Sequence, residues 1–162
     1  MLPLRRGTLA LALAGVLAAA PAQADGVGPV PDVRVGFPGH TVEAPVLQYC
    51  WMWPNEVSGA GEIGSAECAP RTERRVPLVR HDGALRLDFD RAGWRWRVRY
   101  VSTRSTAPAC RTTKRAVQLG EHAYRLRRPG HPGTYRVTLS GHGPEGNVVA
   151  AFVWRYGKGR CS

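Results

Sequence analysis

Lysine is nearly missing from this chain of 162 residues: Lys114 and Lys158 stand against 21 arginines, an imbalance that a GC-rich coding bias explains as readily as a need for guanidinium groups. Carboxylates are scarce as well, 12 against 23 basic residues, so the formal charge is +11 and an anionic neighbour is implied without being named. Nothing singles out nucleic acid as that neighbour, and nothing reports an oligomeric state. Serines number six and none lies in a G-x-S-x-G elbow, while four cysteines, an even count, leave no free thiol nucleophile. There is no C-x-x-C pair, and His40, His81, His122, His131 and His142 are scattered, so no zinc site is recognisable. Asp88 and Asp90 share a strand face about 7 Å apart, a spacing found in glycosidases, but beside Arg86 they read as a surface ion-pair set. These absences lead to the expectation of a protein that is not an enzyme and holds no metal or cofactor, with an unrecognised hydrolase as an alternative.

Long apolar runs are also lacking. The longest, Leu9 to Ala20, has 12 residues, well short of the ~20 that span a bilayer as a helix, so no membrane span is expected. The run follows Arg5 and Arg6 and precedes Pro21-Ala22-Gln23-Ala24, the order of charged region, apolar region and A-x-A cleavage site in a secretory signal peptide. The expected organisation is a signal peptide helix over residues 1–24, cleaved after Ala24, a flexible Gly/Pro leader over 25–31, and a single domain over 32–162. The general secretory route is preferred to twin-arginine export, whose pattern Gly7-Thr8-Leu9 fits poorly. Cleavage leaves 138 residues, 21 of them basic and 12 acidic, a formal charge of +9 on a product expected to be secreted and extracellular. That length suits one core and hardly two.

What the exported part has in quantity is alternation. Leu85, Leu87 and Phe89 alternate with Arg86, Asp88 and Asp90; Trp94, Trp96, Val98 and Tyr100 alternate with Arg95, Arg97 and Arg99. Tyr124 and Leu126 form a shorter set, and Tyr135, Val137 and Leu139 another, each with polar residues between. Period two marks strands half-buried in a sheet. Adding Asp32 to Phe37, Val42 to Trp51 and Val148 to Trp154 predicts about seven strands, with residues 141–146 as a hairpin loop. No segment after the signal peptide shows a convincing 3.6-residue period. The fold class predicted is all-β, a sandwich.

Cys50, Cys68, Cys110 and Cys161 in an exported chain predict two disulfides, with three possible connectivities. Pairing Cys50 with Cys68 and Cys110 with Cys161 is preferred. The first closes a Gly-rich loop and is worth roughly 3 kcal/mol in the chain-entropy description, and the second ties the tail to a mid-chain loop for roughly 4.

The segment Pro132-Gly133-Thr134-Tyr135-Arg136-Val137-Thr138-Leu139, with the Gly-rich turn and final strand after it, resembles the closing hairpin of bacterial immunoglobulin-like and PKD-like domains. The resemblance covers roughly the last 80 residues. It implies an immunoglobulin-like β-sandwich in which Ala84 to Asp90 is strand B, Trp94 to Val101 is C with its core tryptophan, Tyr124 to Arg127 is E, and the hairpin is F and G. Tyr135 then sits at the corner entering F, ring buried and hydroxyl bonded to backbone. The loop between Cys50 and Cys68 has no place in that pattern and is expected to be an added element. A weaker similarity, carried by residues 141–146 leading to Phe152 and by Cys50-Trp51, connects the chain to neocarzinostatin-type apoproteins and implies a small-molecule carrier.

Two candidate binding sites emerge. Arg95, Arg97 and Arg99 form a row on one face of a strand, and pairing of C with F, as the resemblance implies, sets Arg136 beside them. Four guanidiniums on one face would hold phosphate or carboxylate groups bidentately, as in an anionic cell-wall polymer such as teichoic acid, an acidic polysaccharide or an acidic protein. The plainer reading is a solvated face paired locally with Asp and Glu. Tyr49, Trp51 and Trp53 recur at every second residue, so an extended segment turns all three rings to one side, either as a stacking platform for a ligand or as core beneath the disulfide loop. The leading expectation is a secreted, non-catalytic binding module using the basic face; the carrier would need a cleft near Trp51 and Trp53.

Overall fold

The computed structural model describes residues 30–52 and 66–162. The expected signal peptide and most of the leader lie outside the described residues. Within them the chain is all-β, with one 3-10 turn at Pro108–Cys110 and no α-helix. Five strands form one sheet in the order β2 (His40–Ala44), β1 (Val33–Phe37), β6 (Leu85–Phe89), β10 (Ala123–Leu126), β9 (Val117–Gln118). The second sheet has seven strands, in the order β4 (Ala66–Ala69), β3 (Val46–Met52), β12 (Gly146–Tyr156), β11 (Gly133–Gly143), β7 (Arg95–Ser102), β8 (Arg111–Arg115). Its seventh member, β5 (Leu78–Arg80), pairs in parallel with the end of β12; every other pairing is antiparallel.

The alternating sets behave as period two requires. Leu85, Leu87 and Phe89 of β6, Trp96, Val98 and Tyr100 of β7 and Tyr135, Val137 and Leu139 of β11 are all buried in one cluster that both sheets share. Aromatic rings join the layers: Phe89 packs at 4.7 Å from Trp94 and 5.1 Å edge-on from Trp96. Several polar ends of the buried aromatics are matched with backbone. Tyr124 donates to Trp94 O at 3.0 Å, Tyr100 to Arg127 O at 2.5 Å, and Trp154 Nε1 to His81 O at 2.8 Å. Tyr135 is buried, and its hydroxyl donates to His131 O four residues back at 2.8 Å. Both expected disulfides are formed, Cys50–Cys68 directly across the paired strands β3 and β4, and Cys110–Cys161.

Three expectations need correction. The described residues hold twelve strands rather than about seven, because several are short edge pieces without an inward apolar set. The expected strand from Val42 to Trp51 is two strands in different sheets: β2 ends at Ala44, Pro45 has no N–H to give to a ladder, and the chain crosses there to begin β3. Pro45 does keep its carbonyl in use, accepting from Ala151 N at 3.3 Å. Residues 141–146 are not all loop. Strand β11 runs through Gly143 and β12 resumes at Gly146, which leaves Pro144-Glu145 as a two-residue connection. Gly141 and Gly143 are glycines because tryptophans lie over them: a Cβ at Gly141 would meet the Trp96 ring at 2.7 Å, and one at Gly143 the Trp94 ring at 2.3 Å. Glu145 fastens the tip, accepting from Trp94 Nε1 at 2.7 Å and, through its carbonyl, from Met52 N at 2.6 Å.

Candidate anion-binding face

On β7 the inward residues are buried, so Arg95, Arg97 and Arg99 point away from the core, and all three are exposed. Antiparallel registry sets Thr138 of β11 opposite Arg99, Ser140 opposite Arg97 and His142 opposite Arg95, with Arg136 opposite Val101. On the other side of β7, β8 adds Arg111 opposite Val101, Thr113 opposite Arg99 and Arg115 opposite Arg97. The three strands thus carry six outward arginines, with hydroxyls from Thr113, Thr138 and Ser140 between them. Among the described residues none of the six has a carboxylate oxygen within ion-pairing distance; the arginine ion pairs present are Arg86–Asp88 and Arg91–Glu145. The four arginines expected from the sequence are therefore brought together on one face. Arg111 and Arg115 were missed. Their strand reads Arg-Thr-Thr-Lys-Arg, with no apolar residue to mark an inward side, and only the alternation of its arginines with Thr113 could have suggested them.

The aromatic trio is placed differently. Trp51 is 0% exposed and stacks on Trp94 at 5.5 Å, so it belongs to the core and presents no face for a ligand. Tyr49 is half-buried and donates to Glu67 Oε1 at 2.7 Å; that bond to a carboxylate raises its hydroxyl pKa. Trp53 lies outside the described residues. The cleft that combines apolar and basic lining sits elsewhere, beside Trp96, Arg97 and Arg115. No protein family, curated protein or solved structure matches the chain.

The outer side of the five-stranded sheet offers different chemistry. Arg34 stands opposite Glu43 on one flank and Asp88 on the other, and Arg86 Nε donates to Asp88 Oδ1 at 2.6 Å, the surface ion pair that Arg86 suggested. A shallow groove of about 650 Å3 runs over this region, past Arg34, Asp88, Asp90 and His122. Among the described residues, no three of His, Cys, Asp or Glu are grouped to hold a metal ion.

Proposed function

We propose that the protein is an exported, non-catalytic binding module that holds an anionic polymer of the cell envelope, of the teichoic-acid or acidic-polysaccharide kind, on the β8-β7-β11 face. The observation that carries this reading is six arginines on three adjacent strands without a carboxylate partner among the described residues. Along a strand, same-face residues repeat every ~7 Å and neighbouring strands lie ~5 Å apart, so the arginines form a grid suited to a chain of regularly spaced charges. Guanidiniums bind phosphate and carboxylate through paired N–H donors, and the interleaved hydroxyls supply further donors. Two disulfides fit an oxidising compartment, and the Arg5-to-Ala24 pattern supports the route to it. The pairing of β7 with β11 and of β6 with β10 supports the likeness to immunoglobulin-like and PKD-like domains, scaffolds that serve as adhesive, spacer and binding modules alike.

The test is a matched pair of double variants with equal change in net charge. Arg97→Glu with Arg99→Glu should lower the affinity for purified wall teichoic acid at least tenfold, measured by calorimetry near 0.1 M salt, where the screening length is ~10 Å. Arg127→Glu with Arg128→Glu, exposed beyond β10, should change it less than threefold. Equal losses would reduce the effect to overall charge and overturn the assignment of the face.

A further inference from the structure

At one end of the basic face the surface folds inward between the two sheets. Here β7 and β8 of the larger sheet approach β9 and β10 of the smaller one, and a cleft of about 500 Å3 opens among Trp96, Arg97, Arg115, Ala116, Gln118 and Tyr124. That volume lies within the range of sites for small organic groups. Trp96 and Tyr124, which meet edge-on at 6.4 Å, lie beneath the cleft as core, 2% and 1% exposed. Its mouth is cationic.

One feature of the cleft is costly as it stands. Arg97 and Arg115 are direct cross-strand partners, a like-charge juxtaposition that destabilises a sheet, and no carboxylate among the described residues offsets it. An anion between the two guanidiniums removes that cost, since each can donate to it in a fork. A ring carrying that anion can lie against the guanidinium planes, which stack on aromatic faces, with Ala116 and Gln118 beside it.

From this we infer that the cleft between Trp96, Arg97 and Arg115 is a discrete binding site for a ring bearing one phosphate or carboxylate group. The site rests on the proposed function only in that Arg97 and Arg115 belong to both. A polymer lying across the grid would place a ring-bearing end group or substituent here, which gives the face a means to tell one polyanion from another.

The experiment uses the exported chain labelled with 15N and titrated with phenyl phosphate, phenylacetate, inorganic phosphate and benzyl alcohol. Phenyl phosphate and phenylacetate should shift the Trp96 indole and the Ala116 and Gln118 amide resonances saturably, at least fivefold more tightly than inorganic phosphate, and benzyl alcohol should give no saturation. Gln118→Glu, an exposed change that sets a carboxylate at the mouth, should weaken phenyl phosphate at least fivefold while teichoic-acid binding stays within about twofold. Ala116→Trp, which fills the cleft without changing charge, should abolish the saturable shifts; thermal unfolding confirms that either variant is folded. Shifts of equal strength with inorganic phosphate, shifts centred on Arg99 and Arg136, or no shifts would each overturn the cleft. Loss of polymer binding with intact phenyl phosphate binding would overturn the proposed function and leave the cleft standing.

Discussion

The two sheets share a core and differ in what they turn outward. On the five-stranded sheet positive and negative residues alternate across strands, Glu43 to Arg34 to Asp88, with Arg86 bonded to Asp88. On the larger sheet three neighbouring strands present arginine after arginine, Arg111, Arg115, Arg95, Arg97, Arg99 and Arg136, with hydroxyls but no acids between them. A solvated face normally balances its own charges, because like charges opposite one another destabilise the ladder. The smaller sheet sets one such pair, Arg86 opposite Arg125, and offsets it by bonding Arg86 to Asp88, whereas on the larger sheet Arg97 stands opposite Arg115 with no carboxylate partner for either among the described residues. Composition bias toward arginine acts on both sheets alike and so does not account for the difference; the missing acids are local to one face.

If the faces belong to one cooperative body, damage to the inward side of either sheet should cost alike. Tyr135→Ala on β11 is expected to lower stability by about 3–5 kcal/mol and Leu87→Ala on β6 by about 2–5, each read from a single denaturant transition with all probes coincident. Two separate transitions would break the comparison at its root, since the sheets would then be independent units.

Alkaline titration separates the layers next. Burial raises the pKa of Tyr100, strongly, and those of Tyr124 and Tyr135, with the Trp96 indole working the other way at Tyr124. A raised folded-state value means that above pH ~10 the unfolded chain releases phenolic protons first and binds fewer than the native one. Stability is therefore full below pH ~10 and falls beyond it, by as much as about 1.4 kcal/mol per pH unit for each tyrosine still held neutral. Tyr100→Phe should flatten this fall more than Tyr124→Phe. Equal slopes in the two variants, followed by chemical unfolding between pH 9 and 11, would contradict the placement of Tyr100 as the more deeply desolvated ring.

The smallest effects carry opposite signs on the two faces. Asp88→Asn breaks a surface pair and should cost no more than about 1 kcal/mol. Arg97→Glu turns a repulsive partnership with Arg115 into an attractive one and should gain about 0.2–1 kcal/mol while binding is lost. Thermal denaturation at low salt resolves both, and the same sign for both would dissolve the contrast between balanced and unbalanced faces.

How much of this was legible beforehand follows from what each segment buries. Strands β6, β7, β10 and β11 alternate large apolar residues with charges, so their inward sets could be written down residue by residue, Tyr135 included. The row on β7 was legible for the same reason, since outward positions are what remain. Strand β8 was not, because at a sheet edge Thr112 and Lys114 take the inward positions and nothing apolar marks the period. The crossing at Pro45 was hidden by apolar residues on both sides that read as one strand. The cleft was out of reach: it depends on Gln118 and Tyr124 of one sheet meeting Trp96 and Arg115 of the other, a tertiary meeting with no local signature. Rings at every second residue around Cys50 told of a shared side, but not whether that side was core, and Trp51 is core.

The fit of Trp96 over Gly141 and Trp94 over Gly143 has a hereditary consequence. At each place the volume is held jointly by two positions about 45 to 49 residues apart in the chain, so a lineage cannot enlarge the glycine while the indole stays, though it can exchange both. Any divergent descendant of this chain should therefore change 96 and 141 together, and 94 and 143 together, one side growing as the other shrinks. Such paired exchange would persist after ordinary sequence identity had faded, and would mark kinship where a residue-by-residue match no longer does.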